Sequence, residues 1–130
     1  VHALEVGACR IVNIKLGRVG GHVEARAVQE FARSRGVPVW CGGMLESGVG
    51  RAHNIAMSTL AGFTLPGDVS ASARYWAEDI VDPPIRATAG AITVPWDRPG
   101  LGFDANLARI QERTLRSLVL EAEGATAVAV

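Results

Sequence analysis

One pattern, used twice, constrains this chain more than anything else in it. An apolar run with β-branched residues ends near a charged side chain, a glycine-rich loop follows, and residues then fall at helical spacing. The first copy is Ile11-Val12-Asn13-Ile14-Lys15, followed by Gly17, Gly20 and Gly21 and by helical spacing over 22–35. The second is Val37-Pro38-Val39-Trp40-Cys41, then Gly42-Gly43-Met44-Leu45-Glu46-Ser47-Gly48, then helical spacing over 51–60. A third run, Phe63-Thr64-Leu65-Pro66-Gly67-Asp68, ends in an aspartate. Strand–helix–strand–helix–strand predicts an α/β fold with a parallel sheet and helices outside it. Strands are expected at 10–15, 37–41 and 63–66. Ile11, Val12 and Ile14 are nearly continuous, so the first strand is expected to be covered on both faces.

The helical stretches carry apolar stripes. Val23, Ala27, Val28 and Phe31 line one side of the first, opposite Glu24, Arg26, Gln29, Glu30 and Arg33. Gly36 is placed to end it. Ile55, Ala56, Thr59 and Leu60 are the packing candidates of the second, which Gly62 closes. Beyond Asp68 the texture is mixed, and Pro83-Pro84 stops any regular element. Ala91-Ile92-Thr93-Val94 reads as a strand, and Pro95, Pro99, Gly100 and Gly102 form a turning segment. A last helix is predicted over 104–121, with Leu107, Ile110, Thr114 and Leu118 on one face. Gly124 ends it, and the small-residue tail to Val130 is expected to fray. Two portions are expected, 1–82 and 83–130.

Thirteen basic and 13 acidic residues leave no net charge, so electrostatics favour neither nucleic acid nor an anionic membrane as a partner. An apolar fraction of 48% can sustain a core. Cys9 and Cys41 form no disulfide framework and no metal motif, which predicts a reducing, cytoplasmic setting. No apolar run approaches a membrane span, and Val1 to Gly7 does not read as a signal peptide. The first strand comes only a few residues in, as if the chain began between two elements of something larger.

Ligands of α/β folds gather at the carboxyl ends of the strands, where Lys15, Glu46 and Asp68 stand. Desolvation at such a place disfavours an ammonium, so an amine there can take a proton from carbon near neutral pH. A solvated lysine covering the strand end is the competing reading. Gly42 and Gly43 would let backbone approach a ligand closely. The helix start near Gly48 to Arg51 could hold a substrate carboxylate, or the segment could be a tight loop capped by Ser47. Asp68 could accept a hydrogen bond from a ligand, orient Lys15, or cap the segment from Val69. Arg18 could pair with an acid on the rim, behind the groups that touch substrate, or be an ordinary loop charge. Other patterns fail. Gly17-Arg18-Val19-Gly20-Gly21 lacks the spacing of a dinucleotide or phosphate loop. His2, His22 and His53 are too dispersed to nominate zinc. Asp79 and Asp82 read as solvated loop charges rather than magnesium ligands. Trp40 and Trp76 could line a pocket, though core or rim packing is the commoner role for such residues.

Asn13 to Gly21, Pro38 to Gly48 and Phe63 to Ser72, in that order, resemble the enolase superfamily, in its branch of o-succinylbenzoate synthases and N-acylamino acid (N-succinylamino acid) racemases. Ile92-Thr93-Val94-Pro95 with Pro99-Gly100-Leu101-Gly102 resembles that branch's closing segment, so the likeness covers about 8–104. It implies a partial TIM-type (β/α) barrel: the last three parallel strands with outer helices, plus a C-terminal return segment toward a capping domain. Lys15 matches the general base at the end of the sixth strand. Gly42, Gly43, Met44 and Glu46 match the seventh-strand region near the substrate, and Asp68 the acidic position after the eighth strand.

The chemistry implied is abstraction of the proton α to a carboxylate, with a divalent metal, usually Mg2+, holding the enediolate. A small-molecule carboxylate is racemised or loses water to give o-succinylbenzoate for menaquinone synthesis. The family's lysine pair on the second strand and its three acidic metal ligands on the third to fifth strands have no counterpart here. The chain therefore reads as the C-terminal piece of such an enzyme. It is expected to be inactive alone, to hold no tight Mg2+, and to self-associate through open barrel edges. Two other readings compete: an association module that completes a partner's barrel, and a fragment with no function of its own.

Overall fold

A computed structural model describes residues 1–119. A short helix, α1 (His2–Glu5), precedes β1 (Val12–Ile14), α2 (His22–Ser34), β2 (Val39–Cys41) and α3 (Gly48–Ser58). A 3-10 turn at Ser72–Arg74, β3 (Val81–Asp82), β4 (Asp104–Ala105) and α4 (Leu107–Arg113) follow. β1 and β2 are parallel, with Val12 opposite Val39, Asn13 opposite Trp40 and Ile14 opposite Cys41. The third run lies parallel to β2, but touches it only through the bridges Val39–Phe63 and Gly42–Asp68. It is thus not the continuous strand expected. Pro66, between the two bridges, has no N–H to give the ladder. Pairing resumes when the Asp68 amide donates to the Cys41 carbonyl at 2.8 Å.

Side chains alternate across the sheet. Ile14, Val39 and Cys41 are buried on the helix side. Asn13 and Lys15 share the opposite face with Gly42, whose missing Cβ would strike Asn13 Oδ1. Asn13 is exposed, so the described residues cover only one face of β1, against the expectation of two.

α2 ends where expected. Gly36 takes φ 66°, its amide reaches the Arg33 carbonyl, and the Val37 amide reaches that of Ala32, each at 3.0 Å. These are the two bonds of a Schellman cap. Its buried face, however, is Ala25, Gln29 and Ala32 rather than the Val23–Phe31 stripe, and Val23 is 79% exposed. Small residues allow close approach to the sheet, and the Gln29 amide is satisfied by the Ala61 carbonyl.

α3 begins three residues before the expected start, for a reason found far away in sequence. Asp79 Oδ1 accepts from the Gly48 amide at 2.7 Å and so caps the helix. Ser47 occupies the N-cap position but makes no side-chain bond. Asp79 is buried, and its other oxygen lies 3.9 Å from Nη1 of the equally buried Arg51. The reading of Asp79 as a solvated loop charge is therefore corrected. Asp82 accepts from Asn106 Nδ2 at 2.6 Å and pairs with Arg109 at 3.6 Å, so it too is engaged rather than merely solvated.

The remaining differences lie in the C-terminal segment. Residues 91–94 form no strand; Ala91 makes one antiparallel bridge to Thr88, while Ile92 and Val94 pack against the cluster of Ala52, Ile55, Val81 and Ile85. Their apolar pattern is satisfied by packing rather than by a ladder. The antiparallel pair of β3 and β4 was not expected, and it joins residues on either side of 82/83. The last helix runs only from Leu107 to Arg113, with Asn106 Oδ1 accepting from the Arg109 amide at 2.9 Å as its cap. Leu107, Leu115 and Leu118 are 74%, 98% and 81% exposed. Without a surface to bury them, the stripe cannot extend the helix. Residues 120 and 121 of that predicted helix, Gly124 and the tail lie outside the described residues. No helix among the described residues is long and apolar enough to cross a membrane.

Candidate active site

The ends of the three parallel segments meet at Gly42-Gly43. Lys15, half-buried just beyond β1, donates from Nζ to the Gly43 carbonyl at 2.8 Å. A Cβ on Gly42 would fall 2.9 Å from Lys15 Cγ, and one on Gly43 would strike the Asp68 carbonyl. These two glycines let the backbone after β2 lie between the lysine stem and the end of the third segment. The Gly43 carbonyl, not Asp68, orients the Lys15 amine. Asp68 is exposed and anchored through its main chain.

Glu46 turns back on its own loop. Oε2 accepts from the Met44 amide at 2.7 Å and Oε1 from Asn54 Nδ2 at 3.0 Å. Its carbonyl accepts from Trp76 Nε1 at 2.9 Å, so Trp76 ties the return segment to this loop. Met44 is 38% exposed beside it. Arg18 donates its main-chain amide to the Lys15 carbonyl at 2.9 Å; its side chain is exposed and pairs with no acid among the described residues. Beneath the site, burial pushes the Cys41 thiol above its ordinary pKa, and the Glu46 charge adds to this; the neighbouring Ser58 hydroxyl and the Lys15 charge oppose it. That environment keeps Cys41 an inert thiol.

Trp76, Asp79 and Arg51 escaped the sequence reading as supports of this loop, because no local pattern marks a partner some 30 residues away. His22 and His53 escaped as a pair, although both lie early in successive helices. A cavity of about 460 Å3, lined by Ser72, Trp76, Asp79, Ile85 and Arg109, lies against the return segment. Lys15 is not part of its lining.

Strand-end lysine, glycine-built approach and parallel order together define a (β/α)-type site, and comparison with known proteins supplies the family. A model of the enolase C-terminal domain-like family matches residues 1–109, and the chain belongs to that family. Two kinds of enzyme stand among its relatives. It is 54% identical over 112 residues to the o-succinylbenzoate synthase of Geobacillus stearothermophilus, covering 86% of this chain and 30% of that protein. It is 50% identical over 113 residues to the N-succinylamino acid racemase of Thermus thermophilus, covering 87% and 30%. A crystal structure of an enolase-superfamily member from Listeria innocua superposes with a TM-score of 0.79 at 45% identity, over 85% of this chain and 30% of that one. The chain thus spans about 30% of the length of the relatives it matches. The barrel expectation holds in part: the parallel segments and outer helices are present, but as a small sheet rather than a barrel.

Members of the enolase superfamily use Mg2+. The described residues do not fit that ion on their own. No three His, Cys, Asp or Glu side chains among them converge. Both Glu46 oxygens are already engaged by protein donors. A magnesium site needs several oxygens in octahedral array.

Proposed function

We propose that this chain is the C-terminal part of a divalent-metal-dependent enzyme that removes the proton α to a carboxylate, racemising an N-acylamino acid or forming o-succinylbenzoate. Lys15 is the base. The observation that carries this reading is the Lys15 amine held by the Gly43 carbonyl at the end of β1, in a chain about half identical to both kinds of enzyme. One N–H bonded to a carbonyl fixes the direction of the nitrogen. Once deprotonated, the amine has a lone pair to aim at a Cα–H seated over the open face, and takes the proton as the carbanion forms.

Gly42 and Gly43 keep the wall of that face thin. Met44 offers an apolar contact to the substrate, and Asp68 a hydrogen-bond acceptor. The loop built by Glu46 shapes the pocket edge. Arg18 stands on the rim, where its charge can draw in a carboxylate. A cytoplasmic setting suits two free thiols.

By itself the chain has no measurable racemase or synthase activity. A base acting without stabilisation of the developing charge leaves most of the barrier standing. The open face and the edge of β1 that is unpaired among the described residues favour self-association. The test is α-proton exchange into deuterated solvent, with an N-succinylamino acid and Mg2+, on the chain and on Lys15→Ala. Exchange at background in both is expected. Exchange that vanishes in the variant would show instead that assembly rebuilds a complete site around Lys15.

A further inference from the structure

Two imidazoles from successive helices meet on the outer surface. His22 opens α2 and His53 lies in the second turn of α3. His22 Nε2 and His53 Nδ1 are 2.9 Å apart, with ring centroids 5.0 Å apart and planes inclined by 62°. The sequence alone set these histidines aside as dispersed; the fold brings the two rings together near the starts of α2 and α3.

We propose that His22 and His53 form a two-imidazole chelate for a late first-row divalent cation of the nickel(II) and copper(II) class. Metal–nitrogen bonds to histidine are about 2.0–2.1 Å. Two nitrogens 2.9 Å apart then subtend roughly 90° at the metal, the cis angle of the tetragonal geometry these ions prefer. The rings now point at each other, sharing one hydrogen bond. His22 is exposed and His53 only partly covered, so each can turn until both lone pairs converge on one point. The proton between them leaves its inner nitrogen for solvent while the outer nitrogen of the same ring takes one up. Both rings end neutral and the net charge of the ligand pair is unchanged.

The surroundings permit this. His22 is exposed and borders an open hollow of about 330 Å3 on α2, lined with it by Val23, Arg26, Ala27 and Glu30, so solvent reaches the outer side of the pair. The Arg26 charge in that hollow is paired with Glu30 at 3.4 Å. Burial and the neighbouring His22 hold the His53 pKa below its ordinary value, which keeps its lone pair available at neutral pH. Such a chelate would staple the helix that follows the Lys15 strand to the helix that follows the Glu46 loop. Its ligands are nitrogens, so it does not draw on the oxygen-seeking ion of the family chemistry.

The experiment titrates NiCl2 into the chain carrying His2→Ala and Cys9→Ser, which removes two competing donors. Binding is read from thermal unfolding and from paramagnetic broadening of amide resonances. Expected are one equivalent bound with micromolar or tighter affinity, a raised Tm, and broadening centred on the first turn of α2 and the second turn of α3. Excess Mg2+ should leave all three unchanged. His22→Gln and His53→Gln, each checked for unchanged circular dichroism, should each weaken binding by about tenfold or more. Weaker binding in the parent, broadening centred elsewhere, or variants that bind as tightly as the parent would overturn the assignment.

Discussion

The two strand-to-helix crossings of this molecule follow one plan and are held in different ways. Between β2 and α3, side chains do the holding: Glu46 binds the Met44 amide and Asn54, Trp76 binds the Glu46 carbonyl, and Asp79 caps Gly48. Between β1 and α2 the turn is backbone alone. The Arg18 and Val19 amides donate to the Lys15 carbonyl and the Gly21 amide to that of Leu16, with no side-chain cap on α2. Polar groups between β2 and α3 are consumed by the fold. Those between β1 and α2, Lys15 and Arg18, reach the open face and the surface. A charged residue in a glycine-rich loop can thus fasten its own loop, as Glu46 does, or reach across to the neighbouring strand end, as Lys15 does to the Gly43 carbonyl, and only its partners tell which.

Breaking the fastened crossing should have the largest effect. Asp79→Ala leaves Arg51 buried without its counter-charge, which costs about 3–5 kcal/mol. Urea unfolding should register the loss, and Asp79→Asn should recover part of it by still accepting from the Gly48 amide. Gly48→Ala belongs to the same class, because a Cβ there would strike the Val81 side chain and lie 2.7 Å from Asp79 Oδ2. An unchanged midpoint for Asp79→Ala would mean that the return segment does not hold this loop.

An intermediate effect is expected at Glu46. Glu46→Ala removes two hydrogen bonds and leaves the buried Asn54 amide without its acceptor, a loss of about 1–3 kcal/mol. Amide exchange should accelerate first at Met44 and at the start of α3. Uniform acceleration across the chain would argue against a local clamp.

The smallest effects belong to the backbone-built crossing. Arg18→Ala should change stability by no more than about 0.5 kcal/mol, and a larger loss would show that Arg18 has a structural partner. His53 adds a shallow pH dependence. Its imidazole is more acidic in the fold than its ordinary value of 6.5, chiefly through burial and then through His22. The unfolded chain therefore binds more protons in that range. Stability from this source is complete above about pH 6.5 and is lost as pH falls through the lowered value. His53→Gln should flatten that slope in a pH series of unfolding midpoints.

Much of this architecture could be read from residue patterns. The run Ile11 to Ile14, the glycines after it and the helical spacing from His22 announce a βα unit locally, and Gly36 marks the end of α2 by its need for a positive φ. Lys15 and Asp68 could be nominated because strand ends are where such folds put ligands. Patterns misled where an apolar stripe found no surface, as in the predicted 104–121 helix. They also misled where the missing donor of Pro66 left bridges in place of a strand.

What the sequence by itself determined is the parallel order, the glycine-lined approach to Lys15 and the membership in a family of known chemistry. All of these depend on neighbours within a few residues or on motifs that recur in order. Only the tertiary structure decided that Asp79 caps a helix, that Glu46 is spent on its own loop and that His22 meets His53. Each of those outcomes rests on a contact between residues distant in the chain or on the direction of one side chain. The energy of such a contact depends on burial and on hydrogen-bond geometry, and neither is written in residue order.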